Sequence, residues 1–177
     1  MSRIRTHTIE DAPAGSRPFL QSLIQSSPTG RFLNAHAQMA HSPAVLAAYA
    51  SLRAVIAEHG TLDPKVGWAL NLATAVTVGN TYMIGIASRF ARTNGWTDAQ
   101  IAALRTGTAI GDAKIDALVG VVREAAAKSG SVTDATWNAA LQAGWSDQQL
   151  TEAFAYLGLT VFTGYFLNYA QTEMDAL

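Results

Sequence analysis

Two seven-residue segments set the terms for what this chain can fold into. Gly95-Trp96-Thr97-Asp98-Ala99-Gln100-Ile101 and Gly144-Trp145-Ser146-Asp147-Gln148-Gln149-Leu150 share one pattern. Each reads as a glycine that stops a helix, a buried aromatic hinge, an N-cap and the first turn of a new helix. One helix-turn-helix joint used twice, or a duplicated helical hairpin, would both write this pattern. No basic recognition helix follows either joint, so neither reading implies DNA binding.

The remaining punctuation is also helical. Ser42-Pro43 and Asp63-Pro64 each pair an N-cap with a proline at the first helical position. The first opens a helix to about Glu58, with Gly60 as its stop. The second opens a segment that runs towards Asn94-Gly95. As one helix it would be ~45 Å long, so Gly79 near its middle predicts two helices or a kink. Further helices are expected over 99–106, from Asp112 to Lys128 with Gly130 beyond, from Thr133-Asp134 to Gly144, and from Ser146-Asp147 to about Ala170. Residues 1–30, interrupted by Pro13, Gly15, Pro18, Pro28 and Gly30, are expected to form an arm with one short helix near Phe19–Gln25. Residues 31–177 are expected to form a single domain. No stretch alternates as a strand does, and the expected class is all-α.

Composition removes several functions. There is no cysteine among 177 residues, so disulfides, thiolate nucleophiles and cysteine-ligated metals are excluded. Twelve Lys and Arg face thirteen Asp and Glu without any basic run, which argues against a nucleic-acid partner. The polar first ten residues lack the apolar core of a signal peptide, and the expected location is cytoplasmic. Residues 66–88 and 153–172 carry no charge and are long enough to raise a membrane question. Their interior Asn and Thr residues favour buried helices, so no membrane partner is expected.

Phosphate loops, His-Glu-x-x-His and Gly-x-Ser-x-Gly are all absent. His36 and His41 are five apart, the wrong spacing for one helical face, so no metal site is expected. The histidines His7, His36, His41 and His59 are expected at the surface or near helix caps. Asp112 and Asp116 read as complements to a helix N-terminus rather than as a carboxylate pair for hydrolysis.

Residues 62–95 bring a family into view. Leu62-Asp63-Pro64-Lys65, the uncharged helix, Gly79-Asn80-Thr81-Tyr82-Met83, and then residues 87–98 resemble the core of the carboxymuconolactone decarboxylase and alkylhydroperoxidase D-like (AhpD-like) family. Gly144-Trp145-Ser146-Asp147, the segment ending Tyr165-Phe166-Leu167-Asn168-Tyr169-Ala170, and Ala40-His41-Ser42-Pro43 are similar too. The resemblance covers about residues 30–175. It implies an orthogonal all-α bundle and an obligate homo-oligomer, a trimer or hexamer. The peroxidase branch carries Cys-x-x-Cys followed four residues later by His, with an upstream Glu, where a helix N-terminus holds a thiolate and His and Glu relay protons. Aligned to that pattern, the two cysteine positions fall at Asn80 and Met83. The His position falls at Ala87, and the Glu position at or beside Trp68. None of these can do the family's redox step, so no cofactor and no thiol peroxidase activity are expected.

What the resemblance leaves is a lining. Asn80, Met83 and Ala87 share one helical face, beside a hydroxyl stripe of Thr74, Thr77, Thr81 and Ser88. Two readings remain open. In one, the stripe is close helix packing with hydroxyls bonded back to the helix, and Asn168 is a buried cross-helix amide. In the other, Trp68, Thr77, Asn80, Tyr82, Met83 and Asn168 line a pocket for a small, mostly apolar ligand. A cofactor-free acid/base enzyme would need an ionisable group there, for which the candidates are His36, Tyr82, Tyr165 and Tyr169.

Overall fold

The computed structural model describes residues 2–27 and 30–175, and these form nine α-helices, one 3-10 turn and no strand. Pro28, counted above among the breaks in the arm, lies outside the described residues. The helices are α1 (Arg17–Gln25), α2 (Asn34–Met39), α3 (Pro43–His59), α4 (Pro64–Thr77), α5 (Thr81–Thr93), α6 (Asp98–Thr106), α7 (Ala113–Ala127), α8 (Asp134–Gln142) and α9 (Asp147–Ala170). The all-α expectation holds, and most of the expected starts sit within a residue of the observed ones. Helix α2 is the addition. At six residues it is too short to show a hydrophobic period, and the run Phe32–Met39 reads in sequence only as apolar.

The long segment after Asp63 is two helices. Gly79 adopts φ +69°, the left-handed region that an L side chain enters only at a cost. Asn80 then turns extended and caps α5. Neither α4, with 14 residues, nor α5, with 13, has the length of a membrane span. Helix α9, with 24 residues, does have the length and apolarity, though 39% of its most apolar stretch is buried within the chain.

The chain divides into two compact units, residues 1–58 with 165–177, and residues 59–164. In the first, Ala12, Leu20, Leu23, Met39, Ala40 and Leu46 form a core with Tyr49 and Phe166 packed on it. The expected arm is woven into this unit. The Arg3 N–H donates to the Ala170 carbonyl (2.8 Å), the Gln38 amide to the Ile4 carbonyl (2.7 Å), and the Asn34 N–H to Asp175 Oδ1 (2.9 Å). His7 is buried, against the expectation of a surface position. Its ring bridges Asp11 Oδ1 (3.2 Å) and His41 Nδ1 (3.0 Å). The pair is 34 residues apart in sequence, beyond the reach of any helical spacing rule.

In the second unit the two joints prove alike well beyond their own seven residues. Gly95 and Gly144 have φ +87° and +90°. Trp96 and Trp145 are 3% and 7% exposed. Each indole N–H donates to a lysine carbonyl, Trp96 to Lys65 (2.8 Å) and Trp145 to Lys114 (2.6 Å). Each lysine ammonium lies over the same indole, at 4.8 and 4.7 Å. Asp63 and Asp112 cap the helices carrying those lysines. Thr97 with Gln100 forms one reciprocal capping box, and Ser146 with Gln149 forms the other. Asp, Lys, Gly and Trp therefore all recur at one constant offset. The repeated element is the whole run from the helix start through the joint.

Candidate functional site

The site is built where α5 begins. Asn80 is its N-cap, and Oδ1 accepts from the Met83 N–H at 2.7 Å. Its amide nitrogen donates to the Gly164 carbonyl on α9 at 3.0 Å. Asn80 is 2% exposed, so both ends of the amide are committed inside the fold. A neutral cap here satisfies the helix N-terminus that would otherwise favour an anion. Ala87 is fully buried, and Met83 is half-buried. Trp68 stacks on Phe90, with ring centroids 4.6 Å apart and planes 13° from parallel. Trp68 thus holds α4 against α5 by aromatic packing.

Helix α9 meets this region along a stripe that sequence reasoning missed. Tyr156, Thr160 and Gly164 are spaced at i, i+4, i+8 and so share one face. Tyr156 lies so close to the α4 backbone that a Cβ on Gly67 would stand 2.5 Å from its Cε1. Thr160 donates to Asn71 Oδ1 at 3.0 Å within the fold, and Gly164 receives Asn80. The signal was present in the spacing, but without the partners on α4 it read as an ordinary apolar helix. Burial raises the Tyr156 phenol above its ordinary pKa, with Glu152 adding to the shift. Glu152 itself accepts from the Thr61 and Leu62 N–H groups at 2.8 and 3.0 Å, pinning the turn before α4.

The hydroxyl stripe is only partly bonded back. Thr77 donates to the Ala73 carbonyl at 2.9 Å, as the packing reading requires. Thr74 and Ser88 depart from it, since their buried hydroxyl oxygens have no hydrogen-bond partner. Tyr82 is buried and Tyr165 is 60% exposed. Asn168 is exposed on α9, which corrects the expectation of a buried amide. Tyr169 is 71% exposed. Tyr165, Asn168 and Tyr169 belong to the first unit, whereas Trp68, Thr77, Asn80, Tyr82 and Met83 belong to the second. Among the described residues no group of three His, Asp or Glu side chains is arranged to hold a metal ion.

His36 lies in the first unit and is 7% exposed. Its Nδ1 accepts from the Leu33 N–H (3.2 Å), which makes it cap-proximal, and Nε2 meets the Tyr49 hydroxyl (3.0 Å). Burial, with Arg53 adding to it, pushes its pKa down to about 3. The ring is therefore neutral in the fold and takes up a proton on unfolding. Its contribution to stability is complete above about pH 6.5 and is lost as pH falls towards about 3. At about 1.4 kcal/mol per pH unit, about 2 kcal/mol should go between pH 6.5 and 5. That window stays above the range of Glu10, Asp11 and Glu124, whose carboxyls are held lower still by their hydrogen bonds. Urea unfolding at the two pH values measures the loss, and His36→Gln should flatten it. A wild-type change under about 0.5 kcal/mol would contradict the assignment.

Fold and site together define an all-α protein of AhpD-like fold, without cysteine, in which α5 begins at a capped and packed helix start. The sequence profile of the Carboxymuconolactone decarboxylase family matches residues 43–124. The AhpD-core, uncharacterized peroxidase-related protein from Ralstonia eutropha JMP134 superposes with a TM-score of 0.86 at 15% identity, over 99% of this chain and 93% of that one. A variant of the debrominase Bmp8 in complex with 2,3,4-tribromopyrrole superposes at 0.83 and 14% identity, over 99% and 93%. An uncharacterized peroxidase-related protein from Silicibacter sp. TM1040 superposes at 0.83 and 11% identity, over 99% and 92%. These likenesses are likenesses of fold. No curated protein matches in sequence. The profile match and the fold likeness point to the carboxymuconolactone decarboxylase and AhpD-like family, and the chain, having no cysteine, lacks a Cys-x-x-Cys pair.

Proposed function

We propose that this chain is a non-redox member of its family that works as a homo-oligomeric structural or small-molecule-binding protein, assembled through α9. The observation that carries the reading is an uncovered aromatic stripe. Phe154, Phe162, Tyr165 and Tyr169 are 65%, 37%, 60% and 71% exposed. With Gly158 between them they recur at three- and four-residue steps and fall on one face. A Cβ on Gly158 would meet nothing, so the stripe has a gap where another backbone can approach closely. Helix α3 adds to this, because only Leu46 of its seventeen residues is buried, although the helix is rich in Ala, Val and Leu. A second copy of the chain is the occupant that satisfies these surfaces, since an exposed apolar patch of this kind marks an interface.

The alternative, an acid/base enzyme of the lactone decarboxylase type, needs a free ionisable side chain in a pocket. His36 has its perturbed pKa, but both ring nitrogens are engaged. Tyr165 stands exposed. Neither His36 nor Tyr165 therefore supplies that group, and the non-catalytic reading takes Trp68 and Met83 as the apolar wall for any small ligand.

Light scattering after size exclusion tests the assembly. The wild type is expected at three or six times 18.7 kDa. Phe154→Asp/Tyr165→Asp should run at 18.7 kDa with an unchanged helical spectrum. A wild-type monomer, or a double variant of wild-type mass, would overturn it. Alongside, an organic hydroperoxide and a dithiol donor should show no turnover above a protein-free control, and robust turnover would sink the non-redox reading.

A further inference from the structure

We propose that a groove between α5 and α6 is a binding site for a small organic oxyanion, a phosphate monoester or a dicarboxylate. The groove has a volume of about 370 Å³ and is lined by Thr81, Ile84, Gly85, Ser88, Arg89, Arg92 and Arg105. On a helical wheel Gly85, Arg89 and Arg92 lie on the face away from Asn80, Met83 and Ala87, with Thr81 and Ser88 on the flank between. The site is therefore separate from the Asn80, Met83 and Ala87 face, and it does not depend on the function proposed above.

Charge is the first argument. The chain has no basic run, yet three of its twelve Lys and Arg side chains meet in one concavity. One carboxylate answers them. Asp98 takes the Arg92 guanidinium at 2.6 and 2.8 Å. Arg89 and Arg105 have no carboxylate partner among the described residues, and no acidic side chain lines the groove. Arg92 and Arg105 sit in the last turns of their helices, where a cation complements the helix dipole. That accounts for two of the three. It does not account for Arg89, a turn earlier, or for the convergence of all three on one groove.

Ser88 is the second and independent argument. It lines the groove, is only 8% exposed, and its hydroxyl has no hydrogen-bond partner. Buried hydroxyls are rarely left unbonded, and Ser88 Oγ, itself shielded from solvent, is an unmade bond in the wall of a cationic groove. The Thr81 hydroxyl stands two turns away on the same face, and Gly85 between them presents no side chain to obstruct a ligand. Ile84 gives one wall an apolar surface. That favours an organic anion over a bare inorganic ion.

Titration calorimetry on the intact protein tests this at constant ionic strength, with chloride as the balancing anion. Phenyl phosphate and succinate are the probes. Saturable binding of either one supports the site, and which of them binds assigns the ligand as phosphate or carboxylate. Arg89→Gln/Arg105→Gln should weaken that binding at least tenfold. Ser88→Ala should weaken it several-fold, and both variants should keep the wild-type helical spectrum. Absence of saturable binding by both probes up to about 10 mM, or equal affinity in wild type and the arginine double variant, would overturn the proposal.

Discussion

Replacing Trp145 with alanine should cost about 3–5 kcal/mol of unfolding free energy, and Trp96→Ala should cost the same. Both indoles sit in the main core of the second unit. Each also closes a joint, since its N–H donates to the carbonyl of a lysine at the far end of the preceding hairpin. Trp→Phe at either position should cost less, about 1–2 kcal/mol, because it keeps most of the ring volume and loses one hydrogen bond. The lysine ammonium over each ring, with Lys114 exposed and Lys65 half-buried, adds about 1 kcal/mol. Small domains are stable by about 5–15 kcal/mol, so either alanine removes a large share. Urea unfolding followed by circular dichroism reads the loss. Equal effects at the two positions are required if the joints are one device used twice. A cost below about 1 kcal/mol at one of them would break that equivalence.

Asn80→Ala is expected to cost about 2–4 kcal/mol, the sum of a lost N-cap and a lost buried bond that leaves the Gly164 carbonyl without this donor. The two halves are separable. Asn80→Ser keeps an acceptor for the Met83 N–H and gives up only the bond to α9, so it should fall between wild type and alanine. Asn80→Asp keeps the cap and complements the helix dipole, but it sets a buried carboxylate oxygen against the Gly164 carbonyl oxygen. It should be no better than alanine, although Asp and Asn cap exposed helices equally well. If the Asn80→Asp variant matched wild-type stability, Asn80 would be a cap alone and the tie to α9 would carry no energy.

That comparison also explains what the site position became. In the family pattern the residue at the start of this helix is a thiol exposed to a helix dipole. Here it is an amide with both ends satisfied and almost no exposure. Trp68, stacked on Phe90, and the buried Ala87 likewise serve packing.

Much of this was legible in the sequence for a definite reason. Helix starts and stops depend on local chemistry: a side-chain acceptor at the N-cap, proline at the first position, glycine free to turn left-handed. The ends of α4, α5 and α7 could therefore be read from Asp63-Pro64, Gly79 and Asp112 without knowledge of any partner. The absence of cysteine was legible too, since it needed only residue identities. Other features were not legible, because they join residues far apart in the chain. His7 meets His41, Tyr156 covers Gly67, and Asn80 reaches Gly164 only once the helices have packed. Asn168 and Tyr165 belong to the apolar run by sequence, yet the rotation of α9 turns both outward.

By itself, then, the sequence determined the class of fold, the places where helices begin and end, and the absence of thiol chemistry, because each depends on interactions within a few residues. Tertiary packing decided which of those residues are committed and which are available. It spent the amide of Asn80 on a cap and a cross-helix bond. It gathered Arg89, Arg92 and Arg105 around an unbonded serine. Burial and charge convergence are properties of facing surfaces, and no spacing along one helix specifies what faces it.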